Sequence, residues 1–191
     1  LHLLMGNGFH RAQQERESID LLTGKRCEAL VVHSKALSDE ELIDYALRVP
    51  GMVLINRDIP ALKGRCIALN NRQGAATATR HLLELGHRHI AFLSSDHAIE
   101  DATLRLQGYQ DALTEAGLRA DPELVESGMP NEEGGERAML NLLAKGQPIT
   151  AVVAYNDAMA AGAISVLADN GLNVPEEVSV VGFDDIIYAR Y

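Results

Sequence analysis

At 191 residues and 47% hydrophobic content, the chain can build one large or two small cores. Its net charge of −10 opposes contact with a phosphate backbone through this segment, and 4% aromatics with no Trp excludes a broad base-stacking platform. No apolar run approaches the ~20 residues that span a bilayer, so no membrane partner is expected.

In chain order, Leu1–Met5 reads as a first strand, in an opening segment (LHLLMGNGFH) without the basic flank and apolar length of a secretory signal. A cytoplasmic chain is therefore expected, and its start on strand-like residues suggests a piece of something longer. A helix follows from about His10 to Leu22, then a strand over Ala29–His33. Ser38 opens a capping-box pattern (SDEE) for a helix to about Leu47, which Pro50-Gly51 ends. Met52–Ile55 and Cys66–Leu69 are strands, with the loop-rich NRDIPALKGRC between them. Beyond it the rhythm becomes regular. Helices over Gln73–Leu85, Ala102–Ala116 and Glu132–Ala144 alternate with strands over His89–Leu93, Glu123–Glu126 and Thr150–Ala154. The helix after Thr150–Ala154 precedes a last strand at Val178–Val181.

One joint recurs: LLTGKRCEALVV, LLELGHRHIAFL, LLAKGQPITAVV and LADNGLNVPEEVSVV each run from helix through Gly to an apolar strand. The Gly supplies the left-handed residue that stops the helix. The apolar run reads as a parallel strand buried on both faces. The expected class is α/β with right-handed crossovers and parallel sheets, divided into residues 1–70 and 71–191.

In open parallel sheets ligands sit where strands end. The polar residues predicted there are His33, Asn56, Asp96, Asn156, Asp184 and Asp185. Planar carboxylate, amide and guanidinium groups suit paired hydrogen bonds to adjacent hydroxyls, and Arg105 in DATLRLQGY offers the cationic fork. Each has a plainer role as well. Asn156 or Asp157 caps the following helix, Asp184-Asp185 forms a turn, His33 is a hydrogen-bonded structural residue, and Arg105 is a solvated helix residue. Cys27 and Cys66 lack motif spacing; reduced thiols or a disulfide remain open. His87 and His89 lack a third ligand for zinc, and no phosphate-loop or nucleophile-elbow motif occurs. No catalytic residue, cofactor or metal site is assigned, although a Mg²⁺-dependent enzyme using Asp184 and Asp185 stays as an alternative.

HLLELGHRHIAFL, LRLQGYQDAL, VVAYNDAMAAGAISVL and VPEEVSVVGFDD together resemble the core of the LacI/GalR family of bacterial transcription regulators, in the same order across essentially the whole chain. LLMGNGFHRAQQERESI, MVLINRDIP and CIALNNRQGA most resemble the family's galactose-responsive members. The resemblance implies a type-I periplasmic-binding-protein-like fold, two Rossmann-like subdomains with a sugar effector between them. Carried over by position, Asn156 and Asp184 would bond sugar hydroxyls and Arg105 would clamp the sugar. Asn56 and His33 would be cleft residues, and Asp101 a further contact.

It also implies a non-enzymatic repressor, galactose or a close analogue as inducer, a homodimer, and operator DNA held by an N-terminal helix-turn-helix that has no counterpart here. The first subdomain is expected to be incomplete and the second nearly complete. One departure is the absence of the family's frequent aromatic near Met129-Pro130. The alternative with the same fold is the periplasmic sugar-binding protein of a transporter.

Overall fold

The apolar runs become parallel strands in two separate sheets. The computed structural model describes residues 2–190, and the chain divides into two units, Leu1–Leu69 and Asn70–Tyr191.

In the first unit, β1 (Leu30–Val32), β2 (Met52–Ile55) and β3 (Cys66–Ile67) pair in that order, all parallel. Alternate residues Leu30, Val32, Met52 and Leu54 are buried with Ile19 of α1 (Ala12–Gly24) and Leu42 and Tyr45 of α2 (Asp39–Arg48). The other face is open among the described residues, with Val31 72% and Ile67 66% exposed. Two-sided burial thus fails here, because both helices pack against one face. α2 starts as its sequence requires: Ser38 Oγ accepts from the Glu41 N–H and the Glu41 carboxylate accepts from the Ser38 N–H.

Two expectations need correction in this unit. Residues 2–5 are not a strand, and Leu3 and Met5 are 81% and 88% exposed; Leu1 lies outside the described residues. A strand exists through its ladder of hydrogen bonds, and an apolar run without a neighbour has none. At the first helix-to-strand joint, Arg26 rather than Gly24 takes the left-handed conformation (φ 56°).

The second unit holds β4 (Ile90–Ser95), β5 (Val125–Gly128), β6 (Ala151–Ala154) and β7 (Ser179–Val181) in the spatial order β5-β4-β6-β7, all parallel. Here both faces are covered. Ile90, Phe92, Ala151 and Val153 pack with Leu82 of α3 (Asn71–Glu84) and with Tyr109 and Leu113 of α4 (Glu100–Glu115). Ala91, Leu93, Val152 and Ala154 pack with Met139 and Leu142 of α5 (Glu132–Ala144) and Met159 and Ala163 of α6 (Asp157–Asp169). The period-two alternation therefore assigns each helix pair its own face. Left-handed Gly86, Gly117, Gly146 and Gly171 end the four helices as expected. β5 begins two residues later than its predicted start, because Pro122 opens a 3₁₀ turn through Leu124. Among the described residues no helix is long and apolar enough to cross a membrane.

A buried carboxylate organises the loop after β1. Glu15 is 5% exposed. It accepts from the Ser34 hydroxyl at 2.5 Å and from the backbone N–H groups of Lys35, Ala36 and Leu37 at 3.2 Å. Burial pushes its pKa up, but the Ser34 hydroxyl and the three N–H donors outweigh it and hold the group below its ordinary 4.5. Its stabilising contribution is thus full above that ordinary value and fades as pH falls through the lower folded one. Glu15→Ala should destabilise the protein by about 2–4 kcal/mol at pH 7, since it removes the shared acceptor of four donors, of which the Ser34 hydroxyl and the Leu37 N–H are buried. Denaturant unfolding of both proteins from pH 7 to pH 3 should show the gap narrowing below pH 4.5; a pH-independent gap would contradict the ionised assignment.

Candidate functional site

The chain leaves β4 towards β5 on one side and then returns past it to β6, so connections diverge between β4 and β6. That divergence is a topological switch point, and the crevice lies outside the carboxyl ends of those strands. Ser95, Gly128, Ala154 and Val181 end the four strands. Asp96, Met129-Pro130, Tyr155-Asn156 and Phe183-Asp184 therefore share one edge.

Arg105, on the second turn of α4, is the centre of this edge and is 5% exposed. Its Nε donates to Asn71 Oδ1 at 2.8 Å, Nη1 to the Tyr155 carbonyl at 2.5 Å, and Nη2 to Asp184 Oδ1 at 3.5 Å. The guanidinium also lies 3.7 Å from the Phe183 ring centroid and 4.5 Å from that of Tyr155. Asn71 in turn donates to Asp101 Oδ1 at 3.4 Å. The plainer reading of Arg105 as a solvated helix residue is thereby overturned. A guanidinium carries five N–H donors; with three engaged, one remains on each terminal nitrogen.

Asn156 occupies the same edge but is the N-cap of α6: its Oδ1 accepts from the Met159 N–H at 2.9 Å. Its Nδ2 donates to the Pro130 carbonyl at 3.0 Å. Of the two candidate caps in the sequence, Asn156 is the one the helix uses. Asp157, 6% exposed, reaches the next loop instead, where its Oδ2 accepts from the Ile186 N–H at 2.7 Å. Its own N–H donates to the Phe183 carbonyl at 3.0 Å. Asn156 keeps one spare amide hydrogen and one lone pair. Asp96 and Asp185 are exposed at the edge.

In the first unit the structure brings His33 and Asn56 together, with Asn56 Nδ2 3.5 Å from His33 Nε2. Lys35 Nζ donates to the Asn56 carbonyl at 3.1 Å, and Asn56 is left-handed (φ 56°). Sequence reasoning missed Asn71 and Phe183. Phe183 sat in the singled-out GFDD motif. Asn71 sat in the quoted CIALNNRQGA stretch, but its role was hidden because its partner Arg105 is 34 residues away.

Among the described residues no group of three or more His, Cys, Asp or Glu side chains is placed to hold a metal ion. A surface cavity of about 270 Å³ lies at the far ends of α3 and α4, lined by Arg80, Leu83 and Glu115, and does not touch the edge. Met129, where the sequence lacks the aromatic singled out above, is 49% exposed.

A family model described as a periplasmic binding protein-like domain matches residues 79–191. The HTH-type transcriptional regulator GalR of Escherichia coli K12 is 54% identical over 189 residues, 99% of this chain and 55% of that protein. GalS of Salmonella typhimurium LT2 is 50% identical over 190 residues, 100% of this chain and 56% of that protein. The chain thus spans about half the length of these curated relatives. The crystal structure of the Escherichia coli transcriptional repressor ascG matches with a TM-score of 0.92 at 34% identity, covering 100% of this chain and 70% of that one. A LacI-family sugar-binding transcriptional regulator from Escherichia coli, complexed with phosphate, gives 0.91 at 34% identity, covering 99% and 68%.

Asp184 is the strained member of the edge. Its φ is 106°, outside the basins that side-chain-bearing residues prefer, and its side chain is 34% exposed. Burial raises its pKa; the Arg105 charge pulls it down, but the carboxylates of Asp157 and Asp101 add to the rise, which wins. A carboxyl with a raised folded pKa contributes its full stability below the unfolded value and loses it as pH climbs through the folded one. Asp184→Asn should therefore raise the melting temperature of the ligand-free protein at pH 7, with the difference shrinking on acidification. A thermal melt series would refute this if the variant were less stable at neutral pH.

Proposed function

Since this chain belongs to the LacI family of transcriptional regulators and carries a periplasmic binding protein-like domain, we propose that it is the effector-binding core of a DNA-binding repressor of galactose transport or use. Galactose or a close analogue is the inducer. The observation that carries the reading is the buried Arg105 fork with two unspent N–H donors beside the partly exposed Asp184 carboxylate. Donors and an ionic acceptor side by side match the alternating needs of adjacent sugar hydroxyls, and charge assistance strengthens each bond. Asn156 adds a spare donor and acceptor, and Asp101 adds a carboxylate. His33 and Asn56 supply polar groups at the strand ends of the first unit. The reported relatives are regulators, which favours this reading over a transporter's binding protein or a Mg²⁺-dependent enzyme.

Operator DNA is assigned to a helix-turn-helix segment outside these 191 residues, consistent with the net charge of −10. The working unit is a homodimer in the cytoplasm. Induction is a population shift: the sugar stabilises the arrangement in which it binds better, and operator affinity falls with the other arrangement's population.

Galactose should raise the melting temperature of the full-length protein, by the equivalent of about 2.7 kcal/mol at a hundredfold excess over Kd. Arg105→Ala and Asp184→Ala should each abolish the rise. A wild-type protein whose melting temperature ignores galactose would remove galactose as the inducer.

A further inference from the structure

We infer that Asn71 is the positioning residue of the arginine clamp, setting the plane of the Arg105 guanidinium from the first turn of the second unit; this rests on the sugar-binding reading above. Asn71 is 6% exposed and is the first residue of α3. Arg105 Nε–H only donates, so the Asn71 atom 2.8 Å from it is the amide oxygen. That choice turns the amide nitrogen to Asp101 Oδ1, 3.4 Å away, where a carboxylate accepts it. Both ends of the amide are therefore committed, and in only one orientation.

Nε–H lies in the guanidinium plane beside the last rotatable bond of the side chain. Whatever accepts from it fixes the rotation of the whole planar fork, including the spare hydrogens on Nη1 and Nη2. The Tyr155 carbonyl holds one prong, and the rings of Phe183 and Tyr155 lie against the group. Asp184 is the longest of the three contacts, at 3.5 Å. Asn71 thus sets the direction in which the unspent donors meet a ligand. This amide joins two charged side chains at the sheet edge.

The backbone is shaped for this reach. Gly108 follows Arg105 by one helical turn, and a Cβ there would stand 2.0 Å from the Arg72 carbonyl oxygen. The absence of a side chain lets α4 press against α3 at the residue after Asn71. Asn71 is also the second residue past the division between the two units. Asn70 before it caps α3 by accepting from the Gln73 N–H at 3.1 Å. The start of the second unit and the orientation of the clamp are consequently set by neighbouring amides.

The test uses the full-length protein, calorimetric titration with galactose, and NMR observation of the Arg105 Nε–H. Asn71→Ala should weaken galactose binding about tenfold or more, and its Nε–H should exchange rapidly with solvent. Asn71→Asp keeps the acceptor for Nε–H but sets a carboxylate against Asp101, so it is made together with Asp101→Asn, whose amide can donate back; the double variant should bind within about threefold of Asp101→Asn alone, with a protected Nε–H. Adding Asn71→Ala to Arg105→Ala should weaken binding no further than Arg105→Ala alone. Should Asn71→Ala not fold, the Asn71→Asp/Asp101→Asn pair decides: a tenfold loss relative to Asp101→Asn alone, with an unprotected Nε–H, overturns the positioning role. Wild-type affinity in Asn71→Ala, with Arg105→Ala crippled, overturns the positioning role and leaves the sugar site standing. Wild-type affinity in Arg105→Ala overturns both.

Discussion

A guanidinium that is 5% exposed has surrendered most of its hydration, and a folded chain keeps such a group only where its donors and faces find partners. Arg105 finds them on three other elements. Asn71 comes from the start of α3, the Tyr155 carbonyl from the end of β6, and Phe183 and Asp184 from the loop after β7. The arginine itself comes from α4, after β4. The central strands and one edge strand of the sheet are thus tied, at their carboxyl ends, to one charge. The tie is specific because the fork is planar and its acceptors are a carbonyl, an amide and a carboxylate at fixed angles. Lysine offers a point charge and could not reproduce it.

The first unit solves the same mechanical problem with the opposite sign. Glu15 projects from α1 into the turn after β1, where one hydroxyl and three backbone N–H groups converge on it. Arg57 closes the turn from the other side by donating to the Leu37 carbonyl at 3.2 Å and pairing with Asp39. Loops at strand ends carry ligands but lack the ladder that stiffens strands. In each unit a buried ion anchored on a helix replaces the missing ladder, so His33 and Asn56 in one, and Asp184 and Asn156 in the other, stand on braced turns.

Features set by neighbouring residues were legible in the sequence. The Ser38–Glu41 capping box, and in the second unit the Gly-terminated helices and the apolar strands, appear where the pattern puts them. Features decided by distant partners were not. Residues 2–5 have strand-like composition but pair with no strand among the described residues. Asn156 and Asp157 are equally good caps locally. Tertiary contact separates them, because Asp157 packs against Gly182, where a Cβ would sit 2.2 Å from its Oδ1, and is drawn to the Ile186 N–H. Asn71 meets Arg105 across 34 residues, and no local pattern announces that pairing. The YND and GFDD motifs fall at the strand ends of the second unit, but they do not announce what holds those turns in place.

The same edge concentrates what the fold would otherwise avoid. Asp184 and Asp185 are left-handed, with φ of 106° and 57°, and Asn56 is left-handed at a strand end of the other unit. Asn and Asp tolerate this region better than most residues, which is one reason polar strand-end positions are filled by them. The Asp184 carboxylate is further disfavoured by burial and by two neighbouring carboxylates, against a single arginine. Strain and charge crowding of this kind persist only where the surroundings over-determine the conformation, here through Asp157 and its bonds to the Phe183 carbonyl and the Ile186 N–H. A proton relieves the crowding by neutralising Asp184, and a hydroxyl relieves it by donating to the ionised form. On the sugar-binding proposal, a proton and a ligand hydroxyl compete for the same Asp184 oxygen.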